Sequence, residues 1–216
     1  MELLFPLMQR ADLQDAEYEA LLNRIVPILI KKGLKATTMD SVAAQLGMSK
    51  RTLYEIFGSK SDMLREALAA QERQNQKFFK KAFDESDNIM EALIKIFRYN
   101  RDLVKKVNVA FYKDMDRLYK DKRKEYEEAR ESRHYNMLKM FEKGVEEGMF
   151  RPDVDYTIYS KTMGLQMEAL KRSEELFPPD IPLQRVFDTI IMGFLRGIAS
   201  EKGMKILDNF TREIKS

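Results

Sequence analysis

Residues 37–60 read TTMDSVAAQLGMSKRTLYEIFGSK, and they carry the signatures of two short helices joined by a glycine-centred turn. Thr38 can cap the first helix by accepting from its free amides, and Gly47 can end it. Ser49 can cap the second helix. Two helices joined by so short a turn cross steeply, which is the geometry that places a second helix in the major groove of DNA.

The second helix has an apolar side and a polar side. Leu53, Ile56 and Phe57 are expected to face inward, which leaves Lys50, Arg51, Thr52 and Tyr54 to reach outward. Between residues 24 and 60 there are seven basic residues and two acidic ones, a net charge of +5. The whole chain carries only +3. This local excess of positive charge would attract phosphates and make binding dependent on salt.

About ten positions between residues 24 and 64 follow one order and spacing: Gly33, Thr37-Thr38, Val42-Ala43, Gly47-Met48-Ser49, Thr52-Leu53-Tyr54, Phe57 and Lys60. The pattern resembles that of the TetR-type transcriptional regulators. In that family Gly often stands at the position of Arg51, and His or another aromatic residue at that of Ile56. Because of these two departures, the operator preference of relatives is not expected to carry over.

The resemblance assigns roles to the polar residues of this motif. Lys50 and Arg51 are the expected base readers, because Lys and Arg donate well to guanine O6 and N7. Phosphate contacts, which set register rather than sequence choice, are expected from Thr38, Ser49, Thr52, Tyr54 and Lys60. The alternative is an ordinary helical corner inside a core, but the capping residues and the local charge favour DNA binding.

The rest of the chain predicts an all-α fold of about nine helices. It contains few prolines and glycines, and apolar stripes recur at helical spacing from one end to the other. We expect a three-helix DNA-binding domain over residues 1–60 and a larger effector-binding and dimerisation domain over residues 61–216. Pro27 lies inside the first predicted helix, residues 15–32, so that helix should either kink or begin later. The last predicted helix covers residues 183–200.

Two helices near the carboxy terminus, about 156–176 and 183–200, are apolar on more than one side. Such helices need a covering on more than one side, and a second copy of the chain would supply it. The resemblance implies the same arrangement, a homodimer formed by the last two long helices. The residues expected in this interface are Tyr159, Met163, Gly164, Met167, Ile190, Gly193, Phe194 and Gly197.

The resemblance also implies that the second domain binds a small apolar or amphipathic effector. Aromatic and methionine side chains could line an apolar cavity, and methionine adapts to irregular ligands. The alternative is that these side chains simply form core. The candidates are Phe97, Phe111, Tyr112, Met115, Tyr135, Met163 and Met167.

Composition excludes several kinds of chemistry. The chain has no cysteine, which removes disulfides, thiolate nucleophiles and cysteine-based zinc sites. His134 is the single histidine, so a histidine triad or a two-histidine metal site within one chain is also excluded. We interpret His134 and the nearby run of Glu125, Glu127, Glu128 and Glu131 as a solvated face. No catalytic residue, metal or cofactor is expected.

The amino terminus, MELLFPLMQR, lacks a basic leader, and no apolar run approaches the roughly 20 residues of a membrane span. We therefore expect a cytoplasmic protein with no membrane partner. The function expected is that of a ligand-responsive regulator, a repressor that binds a palindromic operator as a homodimer and is released by its effector.

Two other functions remain as alternatives. An all-helical enzyme acting on an apolar substrate would need a nucleophile, base and acid, and the chain offers no such constellation. A helical adaptor that has lost DNA binding would have no need of Lys50, Arg51, Tyr54 and Lys60.

Overall fold

The computed structural model describes residues 14–120 and 123–213 and forms eleven helices over them. Within these ranges no strand is formed, and Phe150 and Ala199 make an isolated β-bridge. The all-α prediction is confirmed. The helices are α1 Asp15–Lys32, α2 Met39–Leu46, α3 Lys50–Phe57, α4 Lys60–Asp84, α5 Ile89–Val104, α6 Val109–Lys120, α7 Arg123–Glu146, α8 Tyr156–Lys171, α9 Ser173–Leu176, α10 Leu183–Ile198 and α11 Glu201–Glu213.

Two of these helices were not predicted. The helix expected over residues 156–176 divides at Arg172 into α8 and the four-residue α9. After α10, Ala199 is extended, and the Ser200 side chain then accepts from the Gly203 amide at 3.1 Å, which starts α11. The expectation that the helices end near residue 200 is therefore wrong.

The chain divides into two compact units. The first contains the described residues up to Lys77 together with Ala110–Met115, and the second contains Phe78–Val109 and the described residues from Asp116 onward. Helices α4 and α6 therefore contribute residues to both units. The functional boundary predicted between residues 60 and 61 remains a prediction.

The core of the first unit is built from the apolar faces of α1, α2 and α3. Leu22, Ile25 and Leu29 of α1 are fully buried, as are Val42 of α2 and Leu53 of α3. Burying an aliphatic side chain of this kind stabilises the fold by about 1.5–3 kcal/mol. Helix α1 runs through Pro27, which lies on its exposed side, so a later start of this helix is excluded.

The second unit has its own core, in which aromatic rings contact one another. Phe97 stacks on Phe187 with ring centroids 5.7 Å apart, and it meets Phe210 edge to face at the same distance. Phe141 contacts Phe150 at 6.2 Å. Such offset and edge-to-face pairs are the favoured aromatic geometries. None of the helices in the described ranges is both long enough and apolar enough to cross a bilayer.

Backbone contacts tie the loop after α7 to the junction of α10 and α11. The Arg151 amide donates to the Ile198 carbonyl at 2.8 Å, and the Ser200 amide donates to the Met149 carbonyl at 2.9 Å. A Cβ on Gly203 would stand 2.2 Å from the Met149 carbonyl oxygen. This close approach of two backbones requires glycine in the first turn of α11.

Candidate nucleic-acid interface

Helix α2 is held by a cap at each end. The Thr38 side chain accepts from the Ser41 amide at 3.1 Å, and the Ser41 hydroxyl accepts from the Thr38 amide at 3.2 Å. At the other end Gly47 is left-handed, with φ +69°, and its amide donates to the Ala43 carbonyl. The turn into α3 is therefore defined by local hydrogen bonds, as the sequence predicted.

Helix α3 begins at a pair of hydroxyl groups. Ser49 accepts from the Thr52 amide at 3.0 Å, and the two side-chain oxygens lie 2.8 Å apart. Thr52 is only 3% exposed, so the expectation that it faces outward is wrong. Its hydroxyl turns back toward Ser49 because the third residue of a helix lies over the cap.

The remaining residues of α3 separate into the two faces that the sequence predicted. Leu53, Ile56 and Phe57 are buried, and the Phe57 ring lies 5.8 Å from that of Tyr18 on α1. Tyr54 is 43% exposed. Ile56 contributes to the apolar face that α3 turns toward the core of the first unit.

Both expected base readers are exposed, and both are paired with acids. The Lys50 ammonium lies 2.8 Å from a carboxylate oxygen of Asp40 on α2. This hydrogen bond and the charge of Asp40 raise the pKa of Lys50 above its usual value. Arg51 Nε lies 2.8 Å from Glu55 Oε1, one turn along α3. The two acidic residues of the basic segment are therefore the partners of its two base-reading candidates.

A second hydrogen-bonded chain joins the segment before α2 to other elements of the first unit. The Lys60 ammonium donates to the Lys35 carbonyl at 3.2 Å, and the Lys35 amide donates to Asp114 of α6 at 2.7 Å. Thr37 donates to the Gly33 carbonyl at 2.7 Å. Lys60 is thus held at the start of α4, close to the loop that leads into α2.

Sequence reasoning missed three residues of this surface, Asp40, Glu55 and Asp114. The spacing of four between Arg51 and Glu55 is a standard ion-pair spacing on a helix and could have revealed that pair. Asp40 and Asp114 reach their partners through the tertiary fold, across 10 and 79 positions. No local pattern marks contacts of that kind.

The residues expected to bind an effector are divided between the two units. Phe111, Tyr112 and Met115 are half-buried and belong to the first unit, whereas the other candidates belong to the second. Phe97 is 2% exposed, and its two aromatic neighbours account for its position as core. Tyr135 is 57% exposed and carries the Lys139 ammonium 4.7 Å from its ring centre.

Most of the residues expected in a dimer interface surround one open cavity of about 380 Å³ between α8 and α10. Gly164 and Gly193 are exposed, and a Cβ on either would meet nothing within 4 Å. Met167 is half-buried beside the core. The cavity is lined by Tyr159, Thr162, Met163, Gln166, Thr189, Ile190, Gly193 and Phe194.

Glycine at position 197 is required by a contact within the same chain. A Cβ there would stand 2.1 Å from the Tyr159 hydroxyl, which donates to the Phe194 carbonyl at 3.2 Å. The space in front of Gly197 is thus filled by Tyr159 rather than left open for a second copy.

Among the residues that the structure describes, no three or more acidic or histidine side chains come together in a group that could hold a metal ion. The structure does not describe the side chains of the predicted solvated face, which are His134, Glu125, Glu127, Glu128 and Glu131.

Helices α2 and α3 form a capped two-helix motif, and α3 exposes two cationic side chains. A second helical unit follows this motif. These features define a helix-turn-helix DNA-binding protein. Residues 21–67 match the model of the bacterial regulatory proteins of the tetR family. The HTH-type transcriptional repressor KstR2 of Mycobacterium tuberculosis is 30% identical over 139 residues, which cover 62% of this chain and 70% of that protein. The chain belongs to the tetR family.

Solved structures of such regulators share the fold of this chain. The ketosteroid transcriptional regulator KstR2 of Mycobacterium tuberculosis aligns with a TM-score of 0.58 at 24% identity, over 87% of this chain and 98% of that one. The TetR-family regulator PfmR of Thermus thermophilus aligns with a TM-score of 0.55 at 25% identity, over 82% of this chain and 97% of that one. These relatives are transcriptional regulators rather than enzymes. The protein is a ligand-responsive DNA-binding regulator.

Proposed function

We propose that this regulator is a repressor that binds a palindromic operator as a homodimer and leaves it when a small apolar or amphipathic effector binds. Such a protein works in the cytoplasm, where the chromosome lies. The observation that carries the proposal is the surface of α3, on which Lys50, Arg51 and Tyr54 are exposed while the opposite side of the helix is buried. A helix so presented can enter a major groove.

The contacts proposed with DNA follow from the chemistry of each side chain. Lys50 would exchange its acidic partner for the acceptors on guanine edges, and Arg51 would offer its two terminal nitrogens to the same kind of acceptor. Thr38, Ser49, Tyr54 and Lys60 would bind phosphates, and Thr52 would contribute by fixing Ser49 at the start of α3. The ion pair of Lys50 and Asp40 is exposed, and exposed ion pairs contribute little to stability, so exchanging it for a DNA contact costs little.

Pairing of two chains is supported by apolar side chains that stay uncovered on α8. Ile158 is 61% exposed and Leu165 is 71% exposed, and the open glycines Gly164 and Gly193 would let another backbone come close. A homodimer would present two α3 helices to half-sites about 34–36 Å apart. A modest change in their separation would then be enough to lose the second half-site.

The proposed effector is apolar or amphipathic. Its class is supported by the similarity to KstR2, a ketosteroid regulator, and by the aromatic and methionine side chains of the second unit. The effector would act by binding the released state more tightly than the DNA-bound state.

Selection of duplexes from a random pool tests DNA recognition directly, with affinity then measured by fluorescence anisotropy at several salt concentrations. We expect enrichment of a sequence with two-fold symmetry. Arg51→Ala should weaken binding to that sequence by about 1–3 kcal/mol and relax the preference at one base pair. Lys205→Ala, which removes an exposed positive charge from α11, is the matched control. Failure of the wild-type protein to enrich any sequence at any salt concentration would refute the proposal.

A further inference from the structure

We propose that Glu55 determines specificity by positioning Arg51, so that the guanidinium reads a base edge instead of binding a phosphate. The proposal rests on the proposed function, since it assigns a role within the same DNA-binding surface. It starts from one juxtaposition, the contact of 2.8 Å between Arg51 Nε and Glu55 Oε1 on α3.

The two side chains of this pair differ in how far they reach into solvent. The Arg51 side chain is 75% exposed, whereas that of Glu55 is 22% exposed. The carboxylate therefore lies against the body of the unit and the guanidinium projects beyond it. Since the contact uses Nε, the two terminal nitrogens remain available for the paired acceptors O6 and N7 of a guanine.

The second carboxylate oxygen of Glu55 makes the contact with Arg51 more important to Glu55. Oε2 is buried and has no hydrogen-bond partner in the described part of the chain. A partly buried carboxylate with one donor depends on that donor for compensation of its charge. If Arg51 turned away toward a phosphate, Glu55 would be left without a partner. The pair thus disfavours the orientation in which Arg51 binds a phosphate, a contact that carries no sequence information.

The ion pair of Lys50 and Asp40 provides a contrast on the same surface. Its side chains are 51% and 68% exposed, and a lysine ammonium is a point charge without a fixed plane. Asp40 therefore restrains Lys50 weakly. Replacing either acid by its amide changes the net charge equally, but only the change at Glu55 should affect the reading of a base.

The test compares variants on an operator that the wild-type protein has selected from random duplexes. We expect Glu55→Gln to lose about tenfold in discrimination at one base pair, the position read by Arg51, and to bind random duplexes more tightly. Asp40→Asn should bind all duplexes more tightly with every base preference intact. In the Arg51→Ala background, Glu55→Gln should reduce discrimination no further.

A second variant separates position from charge. Glu55→Asp keeps the charge but is one methylene shorter, so it should lose the same discrimination without gaining affinity for random duplexes. This variant also decides the matter if Glu55→Gln fails to fold, as judged by circular dichroism. Unchanged base preference in the folded Glu55 variants would overturn the inference. If the wild-type protein selects no operator, the proposed function fails instead.

Discussion

At the scale of single residues, the start of α3 depends on the hydroxyl pair of Ser49 and Thr52. The prediction from sequence found the cap at Ser49 because capping follows from residue type and local order. It misplaced Thr52 because it assigned sides of α3 by polarity. The missing signal was the spacing of three between Ser49 and Thr52, which brings the third residue of α3 back over its cap.

Thr52→Val tests the importance of this pair. Valine has the same shape but removes the hydroxyl that contacts Ser49 at 2.8 Å, so the free energy of unfolding should fall by about 1 kcal/mol. Urea unfolding measures this change, and operator affinity should fall with it because the start of α3 becomes less ordered. Thr157→Val is the control, since Thr157 is exposed at the start of α8. Equal stability of the two variants would contradict the prediction.

At the scale of elements, the connection between α1 and α2 requires an unusual backbone at Gly33. Its φ is +82° and its ψ is 157°, a region that essentially only glycine occupies. A Cβ there would also lie 3.2 Å from a carboxylate oxygen of Asp114. The sequence pattern marked Gly33 as a position of the motif, but the space in front of its Cα is limited by a residue far away along the chain.

Gly33→Ala should therefore destabilise the first unit by about 1–3 kcal/mol from backbone strain, with crowding against Asp114 in addition. Gly47→Ala is the matched comparison, because Gly47 has φ +69° in the left-handed region and open space before its Cβ. Its cost should be about 1–2 kcal/mol. Thermal unfolding of the two variants measures the difference. A larger loss at Gly47 than at Gly33 would be inconsistent with this account.

Helix α11 shows why some elements escaped prediction. Gly203, Leu207 and Phe210 are buried at helical spacing, so the periodic signal was present but short. A glycine in the first turn reads as a helix breaker. Its reason is the backbone of Met149, which approaches from a loop more than fifty positions earlier. Local sequence rules predict a helix whose residues are chosen for the helix itself. They fail where a residue, such as Gly203, is required by a contact with a distant part of the chain.

At the scale of the whole molecule, the proposed homodimer depends on the exposed side of α8. Leu165→Glu should weaken self-association at least ~100-fold, because a symmetric interface loses the burial of two leucines. The fold of the single chain should be unaffected, since this side chain is 71% exposed. Sedimentation across a range of concentrations measures the effect, and Lys205→Glu on α11 serves as the control. A dimer that is unchanged in Leu165→Glu would place the interface elsewhere.

The first unit is discontinuous in sequence, because α6 contributes Ala110–Met115 to it and Asp114 holds the Lys35 amide. A chimeric biosensor that joined residues 1–77 to a foreign sensory module would lack Ala110–Met115, which belong to the same compact unit. The graft would have to bring its own substitute for Asp114, or keep α6. Modularity in this regulator is therefore a property of two interleaved segments, and a single cut does not separate them.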